Sequence, residues 1–569
     1  MIKQLLLVLC LLLTMTSLIQ AQNIRIESLK DMFGKGKPLK LTGGFSTNSV
    51  MNVGDGQGRD PFTYYMNGNI NLNIYNQLNL PFSFSLTNSG SSYKLPSSPN
   101  RLSLHPSYKW VTGHIGDVSM AFSPYTLSGH MFTGAGVEMN PDGWEIGAMY
   151  GRLLKAVEYD EAQASFLPTY KRMGSGFKIA KNSNKYKIGI NIFNAKDDKS
   201  SLVIEPDSLG VTPMENIAGS VQFLVKPVQF IEIGGEYGLS LLTTDLRASD
   251  EGRDGLVGIL PGSNVTSTSY HAIRLHVDYV GDNSRLGIAY ERIDPNYKTL
   301  GAYYFTNDIE NITVNLYQAF LENKLNVTAN VGYERDDLEK NRASASSRIV
   351  GSFSVSAMLT ERINTNLSYT NFQTYTNVRS VFELVNQENQ LDQLDTLNFV
   401  QLSQSANLNV NIITKQNEAQ LHNLNTNISY QDAANKQGGV FQPGSVSEMM
   451  NFSTAYTVSF LKKGITVNSA VNVNNSKLFS GNTLAWGPTV GASSRLFKKK
   501  VMVAGSLSYN TVLFEGEKQN EVCMFRFNSS YSPWERHNIT CAYTFQQRSF
   551  IQQSSKQNSL ITAGYSYSF

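Results

Sequence analysis

The stretch Ser559-Leu-Ile-Thr-Ala-Gly-Tyr-Ser-Tyr-Ser-Phe569 reads with a period of two, which places Ile561, Ala563, Tyr565, Tyr567 and Phe569 on one face of a strand. A soluble strand would bury such a row in a core. A strand that crosses a bilayer instead sets aromatic rings where hydrocarbon gives way to headgroups, as Phe569 would do here. The stretch is therefore expected to be the closing strand of a transmembrane β-barrel, and these five residues to be the signal that barrel-assembly machinery reads. Sandwiches also contain alternating strands, so the remainder of the chain has to decide between the two.

Residues 1–21 carry Lys3, the apolar run Leu5 to Leu13 and the small residue Ala21 just before Gln22, which is the pattern of a secretory signal peptide. Cys10 follows Leu9, where a lipoprotein signal requires a small residue, so no lipid anchor is expected. Residues 22–38 read as a short periplasmic leader, whose Ile24, Ile26, Leu29, Met32 and Phe33 fit either an amphipathic turn in the barrel mouth or a free tail. Residues 39–569 read as the barrel. Beyond the signal, no stretch approaches the ~20 continuous apolar residues that a membrane helix needs. Hydrophobic residues make up 41% of the chain and aromatic ones 11%, which suits strands with one apolar and one polar face. The balance of 48 basic and 45 acidic residues gives no case for nucleic acid or another polyanion. Outer-membrane lipid is the expected surrounding.

The period of two recurs along the chain. Ile70, Leu72 and Ile74 alternate with Asn69, Asn71 and Asn73; Leu325, Val327, Ala329 and Val331 alternate with Asn326, Thr328 and Asn330. Each segment has about ten residues, the length of a tilted membrane strand. Tight turns are predicted at Asn76-Gln77, Val111 to Gly113, Asn140 to Gly143, Asn182 to Asn184, Lys226-Pro227, Gly281 to Asn283 and onward to Pro533 to Glu535, with long polar connections between them. Short and long connections alternate, as they do when a barrel keeps minimal turns on the periplasmic side and extended loops outside. The prediction is an all-β, antiparallel, up-and-down transmembrane barrel of about 26 strands (22–26), with both termini periplasmic. Pro81 removes a ladder hydrogen bond, so its strand is expected to be short or bulged.

Signals of enzymatic chemistry are thin. His271 and His276 fall on opposite faces of one strand and cannot share a metal without a bulge, and no Gly-x-Ser-x-Gly or phosphate-loop motif occurs. No catalytic, cofactor or metal site is predicted. Cys523 and Cys541 fall on the same face of adjacent strands, either as a diagonal disulfide or as two unpaired apolar side chains toward lipid. One lumen cluster stands out: Arg274, His276 and Asp278 share the inward face with Arg285 and Glu291 of the next strand. It is either a charged constriction that selects solutes or a mutually paired wall that stiffens the barrel. Most other inward positions are Asn, Thr, Ser and Gly, which predicts a hydrated, nearly uncharged lumen.

The segments Arg59-Asp-Pro-Phe62 and Lys109-Trp-Val-Thr-Gly-His-Ile-Gly-Asp-Val-Ser-Met-Ala-Phe-Ser-Pro-Tyr-Thr-Leu-Ser-Gly-His-Met-Phe-Thr-Gly-Ala-Gly136 resemble a group of large outer-membrane barrels of Bacteroidota. The resemblance implies architecture and location in the outer membrane of a Gram-negative cell, and assigns no residue a role. Two functions follow as expectations. One is a transport or export conduit whose wide lumen is gated or plugged. The other is a structural or interaction barrel, accessory to a secretion or adhesion system, with a protein partner still to be identified.

Overall fold

The computed structural model describes residues 39–569 except 55–60, 90–98, 161–166, 204–209, 250–256, 259–261, 340–346, 372, 376–399, 438–439, 442–446, 479–480 and 552–553. The signal segment 1–21 and the leader 22–38 lie outside the described residues. Twenty-nine antiparallel strand segments form one sheet, and three of them continue a strand already begun: Ser107–Tyr108 extends Arg101–Leu104, Gln373–Tyr375 extends Ile363–Thr370, and Val440–Phe441 precedes Ser447–Phe460. Twenty-six strands remain, each bonded to its neighbour in sequence. Leu39–Gly54 pairs with Lys556–Ser568 from Gly44↔Ser568 to Gly54↔Asn558, which closes the sheet on itself. The pairing reaches one residue past the last strand, because Gly43 donates to the Phe569 carbonyl (3.2 Å) and Phe569 donates to the Gly43 carbonyl (2.9 Å). At ~4.8 Å between strands and ~40° of tilt, a circular barrel of this size spans ~50 Å between opposing backbones.

Burial along single strands is inverted relative to a soluble protein. On Tyr186–Asp197, Ile188, Ile190 and Ile192 are 51%, 47% and 48% exposed, whereas the alternating Asn191 and Phe193 are fully buried. Exposing that much aliphatic surface to water would cost more than any gain from covering an asparagine; hydrocarbon around the barrel removes the penalty. The exterior is thus a membrane surface. Because register pairs share a face, the inward row can be followed around the whole circumference, for example Asn366↔Asn409↔Asn427↔Ser453↔Asn472.

The connections depart from the predicted alternation in one region. Short turns do connect strands at one end throughout, and long segments join them at the other as far as Phe460. Beyond that point the long class disappears: Leu478 is followed by a strand starting at Gly481, and Phe514 by one starting at Glu517. Strands of 14 to 16 residues take up the length instead. Val111 to Gly113, predicted as a turn, opens the strand Val111–Ala121, and the turn falls on Lys109-Trp110, where Lys109 holds a positive φ of 51°. Lys226-Pro227 likewise lies within Glu215–Val228, at a register shift between Val225 and Val228. The strand that carries Pro81 is intact over Leu78–Thr87; its neighbour is interrupted instead, at His105-Pro106.

Cys523 pairs in register with Gln547, and Cys541 with Ser529. Although both face lipid on adjacent strands, six residues separate Cys541 from the position opposite Cys523, or ~20 Å along the strand. Both are free thiols, and a disulfide between them would require a slipped register. Gel mobility of the unboiled protein is expected to be the same with and without reductant, and a thiol titration in denaturant to find both groups reactive; an oxidised pair would contradict the register.

Candidate functional site: a packed wall facing an open polar one

The lumen is filled on one side by two connections that fold inward. The segment Phe122 to Leu127 leaves the strand Val111–Ala121, and the segment Asp294 to Asp308 leaves the strand Ser284–Ile293. They meet inside the barrel: the Tyr297 hydroxyl donates to the Tyr125 carbonyl (2.9 Å), the Thr299 hydroxyl to the Thr126 carbonyl (2.6 Å), and the Ser128 amide to the Gly301 carbonyl (2.9 Å). Two apolar clusters form around them. Val118, Met120, Phe122, Leu127, Phe132, Met149, Leu153, Phe193, Ala195 and Leu300 make the larger, and Tyr125, Tyr297, Ala272, Ile293 and Ile309 the smaller. Tyr297 and Phe305 stack at 4.8 Å, and Tyr125 meets Tyr297 edge-on at 6.2 Å. This is a protein core built on one side of a barrel, which fixes the loops as a wall.

Polar pins fasten that core to the strands. Asn216, fully buried, donates to the Ser240 hydroxyl (2.8 Å) and the Leu241 carbonyl (3.0 Å), and its side-chain oxygen accepts the Leu300 amide (3.1 Å). Ser240 in turn donates to the Lys298 carbonyl (2.6 Å). Replacing Asn216 with Ala leaves the Leu300 amide without its acceptor in a buried site and takes one donor from the Ser240 hydroxyl, which keeps its bond to the Lys298 carbonyl, a loss of about 1–3 kcal/mol. Hydrogen exchange of the Leu300 amide is expected to quicken by one to two orders of magnitude, about what that energy allows if exchange follows local opening. Unchanged exchange would place the anchor elsewhere.

The tip of the first loop docks on a row of charges. Glu236, Arg274 and Glu291 are register neighbours on three adjacent strands; the Tyr125 hydroxyl donates to Glu291 (2.7 Å), and the Ser123 hydroxyl donates to Glu236. Burial raises the Tyr125 phenol well above its ordinary value, and the Glu291 and Glu236 carboxylates raise it further. Nearer the short-turn end, Arg285 bonds Asp278 (3.0 Å) and Glu232 (3.2 Å), Lys226 pairs with Glu232 (2.6 Å), and His276 lies 3.9 Å from Asp278. The five residues predicted as one lumen cluster therefore divide. His276, Asp278 and Arg285 join Lys226 and Glu232 in a paired belt, while Arg274 and Glu291 belong to the docking row above it. The belt continues sideways through Lys187 and Lys178 on Glu145 (2.7 and 3.2 Å) to His114, 3.2 Å from Glu138 and 2.9 Å from His105. Cations and carboxylates satisfy one another along it, as a stiffening wall requires.

The opposite side is different in kind. From Leu325 around through the seam to Thr87, the inward rows are mostly Asn, Ser and Thr, bonded to one another: Asn423 donates to Asn411 (2.7 Å), Ser453 to Asn472 (2.8 Å), Asn451 to Ser429 (3.2 Å) and Asn73 to Asn79 (2.5 Å). Among the described residues, no connection covers Asn67, Asn69, Thr328, Ser354, Ser356, Asn366, Ser368 or Asn528, which are exposed within the barrel. The result is a mostly uncharged, wettable arc facing a packed plug, with Glu334, Arg526 and Arg548 among the charged side chains on its inward face.

Sequence reading found the hydrophilic lumen and the charged strands, but missed Tyr125, Tyr297, Asn216 and Glu236. A usable signal was present. Connections that run in water are polar, whereas Phe122 to Leu127 and Asp294 to Asp308 carry Phe122, Tyr125, Leu127, Tyr297, Leu300, Tyr303, Tyr304 and Phe305.

Among the described residues, no group of three or more His, Cys, Asp or Glu is arranged to hold a metal ion. No protein-family model matches the chain, and no curated protein matches it. Solved structures that it resembles include the FrpB iron transporter from Neisseria meningitidis, at 11% identity and a TM-score of 0.36 over 96% of this chain and 83% of that one. A ferric enterobactin receptor mutant from Pseudomonas aeruginosa gives 8% and 0.41 over 94% and 81%, and the P pilus usher translocation pore gives 10% and 0.40 over 93% and 99%.

Proposed function

We propose that this chain is an outer-membrane conduit, in which the inward-folded loops narrow a 26-strand barrel to an eccentric passage running along the polar arc. The observation that carries this reading is the contrast between the two walls. One is dry, apolar and pinned; the other keeps its Asn, Ser and Thr side chains solvent-exposed inside a membrane-embedded cylinder. A barrel built only as an anchor has no need to keep half its lumen wet, since apolar packing of the kind already present would stabilise it more. The alternating connections favour placing the short turns, and with them the belt around Asp278 and Arg285, at the periplasmic mouth. The aromatic row Ile561, Ala563, Tyr565, Tyr567 and Phe569 lies beside the seam, with Phe45 5.7 Å from Tyr565, and is assigned to recognition during barrel assembly. The resemblance to Bacteroidota barrels is compatible with this and adds no residue to it.

Purified protein in planar bilayers tests the proposal. Stable, stepwise conductance is expected; a protein that inserts as a closed barrel, resistant to unfolding in detergent gels, yet never conducts would overturn it in favour of an interaction barrel.

A further inference from the structure

Resting on the conduit reading, the chemistry of the arc narrows what passes. The row Asn366, Asn409, Asn427, Ser453 and Asn472 crosses five adjacent strands, and the row Asn407, Ser429, Asn451 and Asn474 lies two residues away on the same strands. Neither contains a charge. Several of these side chains bond one another: Asn451 bonds both Ser429 (3.2 Å) and Asn474, and Asn472 both Ser453 (2.8 Å) and Thr489 (3.4 Å). Such a mesh offers water and solutes hydrogen bonds of ordinary strength, with no fixed charge to repel or attract an ion and no inward aromatic ring in these rows on which a sugar could stack. The ionisable side chains of the plugged side occur in opposed pairs, the Arg285–Asp278 and Lys187–Glu145 bridges among them, so they contribute little net field across the lumen; on the open side Arg526 and Arg548 face inward near the seam, three and four strands beyond Asn472 and off the asparagine rows.

We infer that the passage serves uncharged hydrophilic solutes, and conducts small cations and anions nearly alike, because its path follows the asparagine rows. A charge placed on those rows then governs selectivity, whereas a wall away from the path would not.

The test is the reversal potential under a potassium chloride gradient, for the full-length protein and for Asn409→Asp/Asn427→Asp and Asn409→Lys/Asn427→Lys. Wild type is expected to show a cation-to-anion permeability ratio within about twofold of unity, and the substitutions to move it at least about threefold in opposite directions. Liposome swelling with neutral sugars should proceed without saturation. A wild-type channel selective by tenfold or more, or a ratio that ignores both substitutions, overturns the inference while leaving a conduit. Absence of any opening overturns the conduit itself. Should either double variant fail to insert, Thr328→Asp/Ser354→Asp places the same charge on exposed neighbouring strands and must give the cation shift.

Discussion

Tyr125→Ala is expected to release the inward loops and raise the conductance of the barrel in discrete, flickering steps. Tyr125 is almost fully buried, packs against Tyr297 and Phe305, and holds Glu291 through its hydroxyl. Truncating an aromatic ring in such a core costs about 3–5 kcal/mol, and here a half-buried carboxylate also loses its donor. A connection of six residues has few other means of staying docked, so local opening should become populated while the strands remain paired. Tyr125→Phe keeps the ring and loses only the hydroxyl, a change of about 1.5–3 kcal/mol for a bond to a charged acceptor, so its effect should be smaller and of the same sign. Alkaline pH offers an independent handle. Burial raises both the Tyr125 and Tyr297 phenols in the docked state. A group whose docked pKa lies above its free value contributes stability that is complete below the free value, near 10, and is lost as pH climbs past it toward the docked value. Wild-type conductance should therefore be steady up to about pH 10 and rise beyond it. A Tyr125→Ala channel with wild-type conductance and pH response would show that these loops do not border the passage.

Gly43→Val is expected to prevent closure of the barrel. Gly43 adopts a φ of +151° on the first strand, pairs with Ile70 on one side and exchanges both backbone bonds with Phe569 on the other. A Cβ at this position would lie 2.2 Å from the Asn69 carbonyl oxygen, a backbone atom held in the ladder, so neither side chain nor rotamer can yield. The strained φ and the overlap each cost about 1–3 kcal/mol, and they fall on the only pair of strands that must find each other across the full length of the chain. Closure is the step that removes the last two unpaired edges in the bilayer, so a defect there should divert the chain to aggregation instead of merely lowering its melting temperature. Semi-native gel electrophoresis should show loss of the compact, heat-modifiable species. Gly129→Val is a suitable control, since nothing lies within 4 Å of a Cβ there, although its φ of +68° will add some local strain.

Alternation in Leu325–Asp336 or Ser447–Phe460 is legible because bilayer and lumen demand opposite chemistry of successive residues, and that demand is local. The same logic gave the inward placement of Arg274, His276, Asp278, Arg285 and Glu291. What it could not give is which of them meet. Glu291, and Glu236 on the other side of Arg274 in register, differ from Asp278 and Arg285 in being reached by Tyr125 and Ser123, residues more than a hundred positions away. The long-range plug depends on tertiary packing between two connections, and periodicity carries no information about that. The loop classes failed beyond Phe460 for a related reason: long strands can replace long loops without changing the alternation.

Thiol accessibility tests the central claim most directly, namely a wet polar arc facing a dry plug inside a membrane barrel. With Cys523 and Cys541 replaced by Ser, single cysteines would be introduced at Ser356 and Asn366 on the arc, at Leu367 on the lipid face, and at Ala218, which is fully buried beneath the plug. The protein in lipid vesicles would then be treated with a small, charged, membrane-impermeant thiol reagent. Rapid modification of Ser356→Cys and Asn366→Cys, with Leu367→Cys and Ala218→Cys protected, is the result expected. Equal reactivity at Ala218→Cys and Asn366→Cys, or protection of both arc positions, would contradict the account.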